Sequence, residues 1–308
     1  MDRFGLLGTG LACLKGKYSE HMPMHPAAPD DRNGLIDAFD HSVQSIIDLG
    51  YSCRDEDFET QTECPGWTVK DQIAHVVGAE KSFAGLPRPR VAVPDYAHVR
   101  SDFARFVEVD VEARRGITGR DIVAELAEFH PRRVAELRAS DADVDTVIGG
   151  FFGPDTTFGQ HLHRRIVDAW VHEQDIRAAL DRPGNLDSAS AAIFTADILD
   201  ALPRIASRVA DIGAGHAVVL DVSGPVKARG GARIVTGEDG RPYGEALFSG
   251  NDRPQGEEQL DVTSIHLTTD ALTRRAAGRR SVGEIHYTVT GDAEIARKVL
   301  EALVVVTH

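Results

Sequence analysis

With 308 residues, 42% of them apolar and 27% charged, and a mean hydropathy of -0.22, the chain has the composition of a soluble globular protein and the length for two cores of ordinary size. No apolar run approaches the ~20 residues that span a bilayer. A net charge of -14 without a basic stripe excludes a general nucleic-acid binder, and it obliges any anionic ligand to find arginines placed locally.

The first segment, residues 1–32, contains the apolar run Phe4–Leu14, which lacks the flanks and small-residue cleavage site of a signal peptide. It is expected to be a disordered tail or the product of a start misassigned upstream of Met22 or Met24. From Leu35 the apolar residues Leu35, Ile36, Phe39, Val43, Ile46 and Ile47 recur at three- and four-residue steps, which predicts an amphipathic helix ending at Gly50. Cys64-Pro65-Gly66 is a turn, Thr68 with Asp71 reads as a helix start, and Val69, Ile73, Val76 and Val77 form the buried stripe of a second helix that carries His75. Beyond the proline-punctuated crossing Gly85–Tyr96 come a helix stopped by Gly116 and another, from Gly119, that Pro131 kinks or divides. A glycine-rich loop then leads into a long helix from Gly159, and after the break at Asp181–Asn185 one further helical segment runs to about Ile212. The pattern changes there: His216–Pro225, Gly231–Gly240 and Ser281–Asp292 alternate like strands, whereas Asp270–Gly278 and the segment from Ala293 keep a helical period. The expected division is a helical domain over 33–212 and a small α+β domain over 213–308.

The chemistry concentrates in RIVDAWVHEQDIR, Arg165 to Arg177. Asp168 and His172 are four residues apart on one helix face, so both can reach a common atom, and His75 on the second helix is the natural third donor. One carboxylate and two imidazoles suit zinc or a similar divalent ion and leave a coordination position open, as catalytic sites do. The bland alternative is a surface ion pair beside a core histidine. Asp175 either orients His172 or pairs with Arg177. His161, about 10 Å from Asp168 along the helix, is too far for the same ion and lines the entrance. His163 is expected to face solvent, Glu80 to be an exposed acid, and Trp67 and Trp170 to pack. Cys13, Cys53 and Cys64 lack CxxC spacing, so neither a disulfide framework nor a thiolate zinc site is expected, and a reducing cytoplasm is the simplest home.

CPGWTVKDQIAHVVGAE, Cys64 to Glu80, followed by RIVDAWVHEQDIR resembles the mycothiol-dependent maleylpyruvate isomerase family, a branch of the DinB-like four-helix metal-binding superfamily. The resemblance runs over most of Leu35–Ile212, and the C-terminal segment resembles the family's smaller domain, which is similar to sterol-carrier-protein folds. It implies a four-helix bundle with His75 and His172 as metal ligands and an acid four residues before the second histidine. That acid is usually glutamate; here it is Asp168, one methylene shorter, and metal bonds tolerate only about 0.2 Å of misfit. The family further implies a divalent metal such as zinc, with iron or nickel left open, and mycothiol as thiol cosubstrate. It implies an isomerase or S-transferase acting on a small molecule without nucleic acid or membrane, and an arginine of the second domain, Arg279, as an anion contact. The alternative from another class is a non-catalytic binding or regulatory module whose metal site has degenerated. Oligomeric state stays open.

Overall fold

The structure is a computed structural model, and it describes residues 24–150, 155–248 and 260–305. The expected tail, with Phe4–Leu14, lies outside the described residues up to residue 23. Its last part is structured, because Met24–His25 form strand β1. The described residues divide into two compact units, one of them Asp30–Gly184 and the other the C-terminal part from Asn185 together with residues 24–29.

The first unit is helical. Helix α1 (Arg32–Tyr51) starts at Asp31, whose carboxylate accepts from the backbone N–H of Asn33 and Gly34, and it buries the six apolar residues named above. Helix α2 (Val69–Phe83) opens with the reciprocal Thr68–Asp71 capping box. Helix α3 (Asp102–Glu112) follows the proline-rich crossing. Helix α4 (Gly119–Ala139) runs undivided through Pro131. Strands β2 (Val147–Ile148) and β3 (Thr156–Thr157) pair across the glycine-rich loop, and α5 (Phe158–Ala179) begins with a Thr157–Gln160 capping box. α1 packs on α4 and α5, and α2 packs on α3, α4 and α5. Each buried Leu, Ile or Phe of these faces contributes roughly 1.5–3 kcal/mol. Gly78 lets α3 come close to α2: a Cβ there would lie 2.2 Å from that of Asp110.

Helix α6 (Ala189–Arg204) is a correction to the expected boundary at 212. It belongs to the second unit, where it packs on strands β5 (Lys227–Thr236) and β6 (Pro242–Leu247). The reason is steric: Gly230 and Gly244 clear the strand surface for Leu199 and Pro203, and a Cβ at Gly244 would fall 2.2 Å from the Pro203 carbonyl oxygen. Among the described residues the sheet has six strands, with β4 (His216–Ser223) paired antiparallel to β5 and parallel to β7 (Asp261–Thr268), and β8 (Tyr287–Thr290) antiparallel to β7. β1 and β6 share the outer edge of β5. Helices α7 (Thr269–Ala276) and α8 (Ala293–Ala302) complete a mixed α+β unit, as expected. Among the described residues no helix is long and apolar enough to cross a membrane.

Candidate metal centre

α2 and α5 bring His75, Asp168 and His172 together, each offering a ligand atom within 4.8 Å of the others. Both imidazoles are buried and the Asp168 side chain is 22% exposed. Arg165, one turn before Asp168, donates to Oδ2 at 2.9 Å. Both oxygens face His75 Nε2, Oδ2 at 3.2 Å and Oδ1 at 3.4 Å, and Oδ1 also lies 3.5 Å from His172 Nε2. A four-coordinate ion with bonds of about 2.0–2.1 Å spaces its ligand atoms roughly 3.4 Å apart, so the donor set fits. Oδ1 of the shorter aspartate is thus near both imidazole nitrogens.

The other nitrogen of His172 is held by a residue that sequence reasoning passed over. Nδ1 lies 2.5 Å from Gln72 Oε1, while the Gln72 amide donates to Thr62 Oγ1 at 2.8 Å and the Thr62 hydroxyl donates to the Trp67 carbonyl at 2.7 Å. This chain orients the amide oxygen toward His172, so Nδ1 carries a proton and Nε2 is the atom presented to Asp168. The available signal was Gln72's place three residues before His75, on the same face of α2. Asp175, the expected orienting acid, is buried but 3.8 Å from Nδ1, beyond hydrogen-bond range; it acts through its charge. Arg177 pairs with Glu173 at 2.7 Å instead of with Asp175.

Glu80 also departs from expectation. It is 1% exposed, not a solvated acid, because Arg165 grips its Oε1 at 2.6 Å from α5 while Arg133 of α4 stands 3.7 Å from its Oε2. A buried carboxylate needs such a partner. Trp67 does more than pack: its ring lies 5.1 Å from that of His75 and 5.7 Å from that of His172, and its indole N–H donates to Glu108 at 2.9 Å. Trp170 is fully buried, as read. His163 is half-buried instead of solvent-facing, and His161 is half-buried with its ring edge-on to Phe83. Arg279 lies in the sheet unit, where its backbone N–H closes the end of α7 on the Arg274 carbonyl and its guanidinium donates to the Ala277 carbonyl at 3.1 Å.

Burial disfavours charge on Asp168, yet Arg165 and His75 outweigh it and hold the carboxyl well below the usual carboxylate range. Burial pushes His75 down against the pull of Asp168. For His172 burial is overcome by Asp168 and then Asp175, and its pKa is raised. The centre thus keeps an anionic oxygen poised between two imidazoles, and an ion entering it competes with a proton on His172.

Residues 39–177 match the family model described as the mycothiol maleylpyruvate isomerase N-terminal domain. Among solved structures, mycothiol-dependent maleylpyruvate isomerase is similar at 16% identity over 84% of this chain and 92% of that one, with a TM-score of 0.46. A mutant of that isomerase gives 15%, 83%, 92% and 0.47. The colibactin self-resistance protein ClbS in complex with double-stranded DNA gives 11% over 51% of this chain and all of that one, with a TM-score of 0.37. No curated protein matches the chain. The matched span, residues 39–177, holds His75, Asp168 and His172 together with most of the helical unit that positions them, so the candidate metal centre lies wholly within the segment that matches the mycothiol maleylpyruvate isomerase N-terminal domain.

Proposed function

We propose that this protein is a metal-dependent enzyme of small-thiol chemistry, holding a divalent ion, zinc in the first instance, at His75, Asp168 and His172. The observation that supports the reading is the position of Asp168 Oδ1, 3.4 Å from one imidazole nitrogen and 3.5 Å from the other. An ion at such a centre supplies a lowered pKa for a thiol, here a low-molecular-weight thiol of the mycothiol class. The chain's own residues prepare the place. Gln72 keeps the proton of His172 on Nδ1, Arg165 ties Oδ2 of Asp168, and the Trp67 ring packs near both imidazoles.

A thiolate adding to a cis double bond leaves a single bond that rotates before the thiol departs, which isomerises a maleylpyruvate-like diacid. The same addition to an electrophile without departure is S-transfer. A reducing cytoplasm suits such a thiol, and the sheet unit in this reading is a companion domain of sterol-carrier type. One observation favours the rival reading, a binding module: Asp168 already has Arg165 and His75 as partners within the protein.

The test is elemental analysis of protein purified without a polyhistidine tag, beside His172→Ala. About one equivalent of a divalent metal in the wild type, lost in the variant, supports the enzyme and directs assays to mycothiol with maleylpyruvate and with electrophiles. Wild-type metal no higher than the variant's, even after added zinc, sinks it in favour of the module.

A further inference from the structure

We propose that Arg133, Arg164 and His161 form an anion subsite of the helical unit that takes a carboxylate of a small-molecule ligand. As the contact for a diacid substrate it rests on the function proposed above; as an anion site it stands on its own residues.

The first observation is Arg133 of α4. Its side chain is only 11% exposed, yet its ion pairs are loose, 3.7 Å to Glu80 and 3.5 Å to the exposed Glu136. Among the described residues its guanidinium makes no hydrogen bond, and its Nε is closed to solvent. A guanidinium carries five N–H donors, and burying them without acceptors is costly. Arg164 of α5 repeats the pattern. It is half-buried, its Nε is closed to solvent, and among the described residues no hydrogen bond or ion pair reaches it. Arg165 beside it differs, since its Nε donates to Glu80 at 2.8 Å and its Nη1 to Asp168 at 2.9 Å.

Charge points the same way. Arg165 engages both Glu80 and Asp168, Arg133 has only its loose pairs with Glu80 and the exposed Glu136, and among the described residues Arg164 has no carboxylate partner, in a chain whose net charge is -14. A cation without a close counter-charge is what an anionic ligand of so acidic a protein requires. His161 lies three residues before Arg164 on the same face of α5, with its ring 5.0 Å from that of Phe83, over which Arg165 stacks at 4.5 Å. Burial, and then the charges of Arg165, Arg133 and Arg164, push its pKa down to about 3. The imidazole is therefore neutral at pH 7 and offers an N–H donor without further charge.

Position sets the ligand class. Arg164 is one turn, about 6 Å along α5, from Asp168. A short diacid with one carboxylate on the planar forks of Arg164 and Arg133 extends its remainder toward the metal centre.

The probe is maleate dianion, titrated calorimetrically at pH 7 and low ionic strength against the full chain. Saturable binding to the wild type, weakened about 10- to 100-fold in Arg164→Gln and Arg133→Gln, partly kept in Arg164→Lys and unchanged in Arg279→Gln, is expected. Repeating the titration on wild type and Arg164→Gln after removal of metal with a chelator separates this subsite from the metal reading: arginine-dependent binding should persist. Should Arg133→Gln fail to fold, Arg164→Gln at its half-exposed position decides. No binding to the wild type, or equal binding to wild type and Arg164→Gln, overturns the subsite. Arginine-dependent binding by a protein that takes up no metal upholds it while removing the enzymatic role.

Discussion

Replacing Gln72 with Leu deletes one acceptor and keeps the side chain's shape. In the wild type the amide oxygen receives the His172 Nδ1–H at 2.5 Å, and the amide cannot turn because its NH2 group is committed to Thr62 at 2.8 Å. Without that oxygen the nearest alternative is Asp175 at 3.8 Å, too far to replace the bond. The tautomer with its proton on Nε2, aimed at Asp168 Oδ1 3.5 Å away, then competes, and that tautomer cannot ligate a metal through Nε2. Loss of an orienting partner of this kind weakens metal binding about 10- to 100-fold, or roughly 1.4–2.7 kcal/mol. Thr62 Oγ1 loses one of its two donors and keeps the Cys64 backbone N–H at 3.2 Å, which adds about 1 kcal/mol of destabilisation at most, too little to unfold the unit. Gln72→Glu keeps an acceptor in place and should retain most of the affinity. The assay is competition for zinc against a chromophoric chelator, paired with long-range 15N spectra of metal-free protein that report which ring nitrogen carries the proton. Wild-type zinc affinity in Gln72→Leu, with the proton still on Nδ1, would refute the reasoning.

Acid should destabilise the protein in two overlapping windows. His161 is neutral in the folded chain down to pH about 3 but protonates near 6.5 when unfolded, so its contribution is whole above pH 6.5 and is lost as pH falls toward 3. Glu125 is lowered to about 2; burial opposes this, but Arg114 and Lys81 prevail, and its contribution is whole above 4.5 and lost as pH falls through about 2. Discounted for the solvent that screens this partly exposed group, Glu125 accounts for about 1–2 kcal/mol. Urea midpoints from pH 7 to 5 should decline in the wild type and flatten in His161→Gln; an equal decline in both would dismiss the His161 assignment. Gly78→Ala pits a helix-propensity gain of about 1 kcal/mol against overpacking of 1–3 kcal/mol. With the new Cβ 2.2 Å from that of Asp110, overpacking wins, and thermal unfolding should show a lower midpoint; a raised one would mean that α2 and α3 are not in close contact.

Much of the helical unit was legible because its signals are local. The stripe from Leu35 to Ile47, the Thr68–Asp71 cap and the four-residue step from Asp168 to His172 are properties of single helices, and each stands where the period puts it. Strands β6 and β7 were passed over: β6 is largely exposed and carries little alternation, whereas β7 joins the sheet as a parallel partner of β4 across a long connection that no local turn announces. Pro131 reads locally as a breaker, yet α4 continues through it because its neighbours hold both halves in one packed helix.

By itself the sequence determined where most helices and some of the strands form, that two histidines and one acid stand at metal-ligand spacing, and which family motif they resemble. Only the tertiary structure decided which faces meet. Asp168 spans the gap to both imidazoles because α2 and α5 approach closely and Arg165 pins its second oxygen; Gln72 and Glu80 acquire roles from helices almost a hundred residues away; α6 joins the sheet through glycines on β5 and β6. Periodicity says which side of an element is apolar, but the partner across an interface is set by packing, and the roles of buried polar side chains follow from that partner.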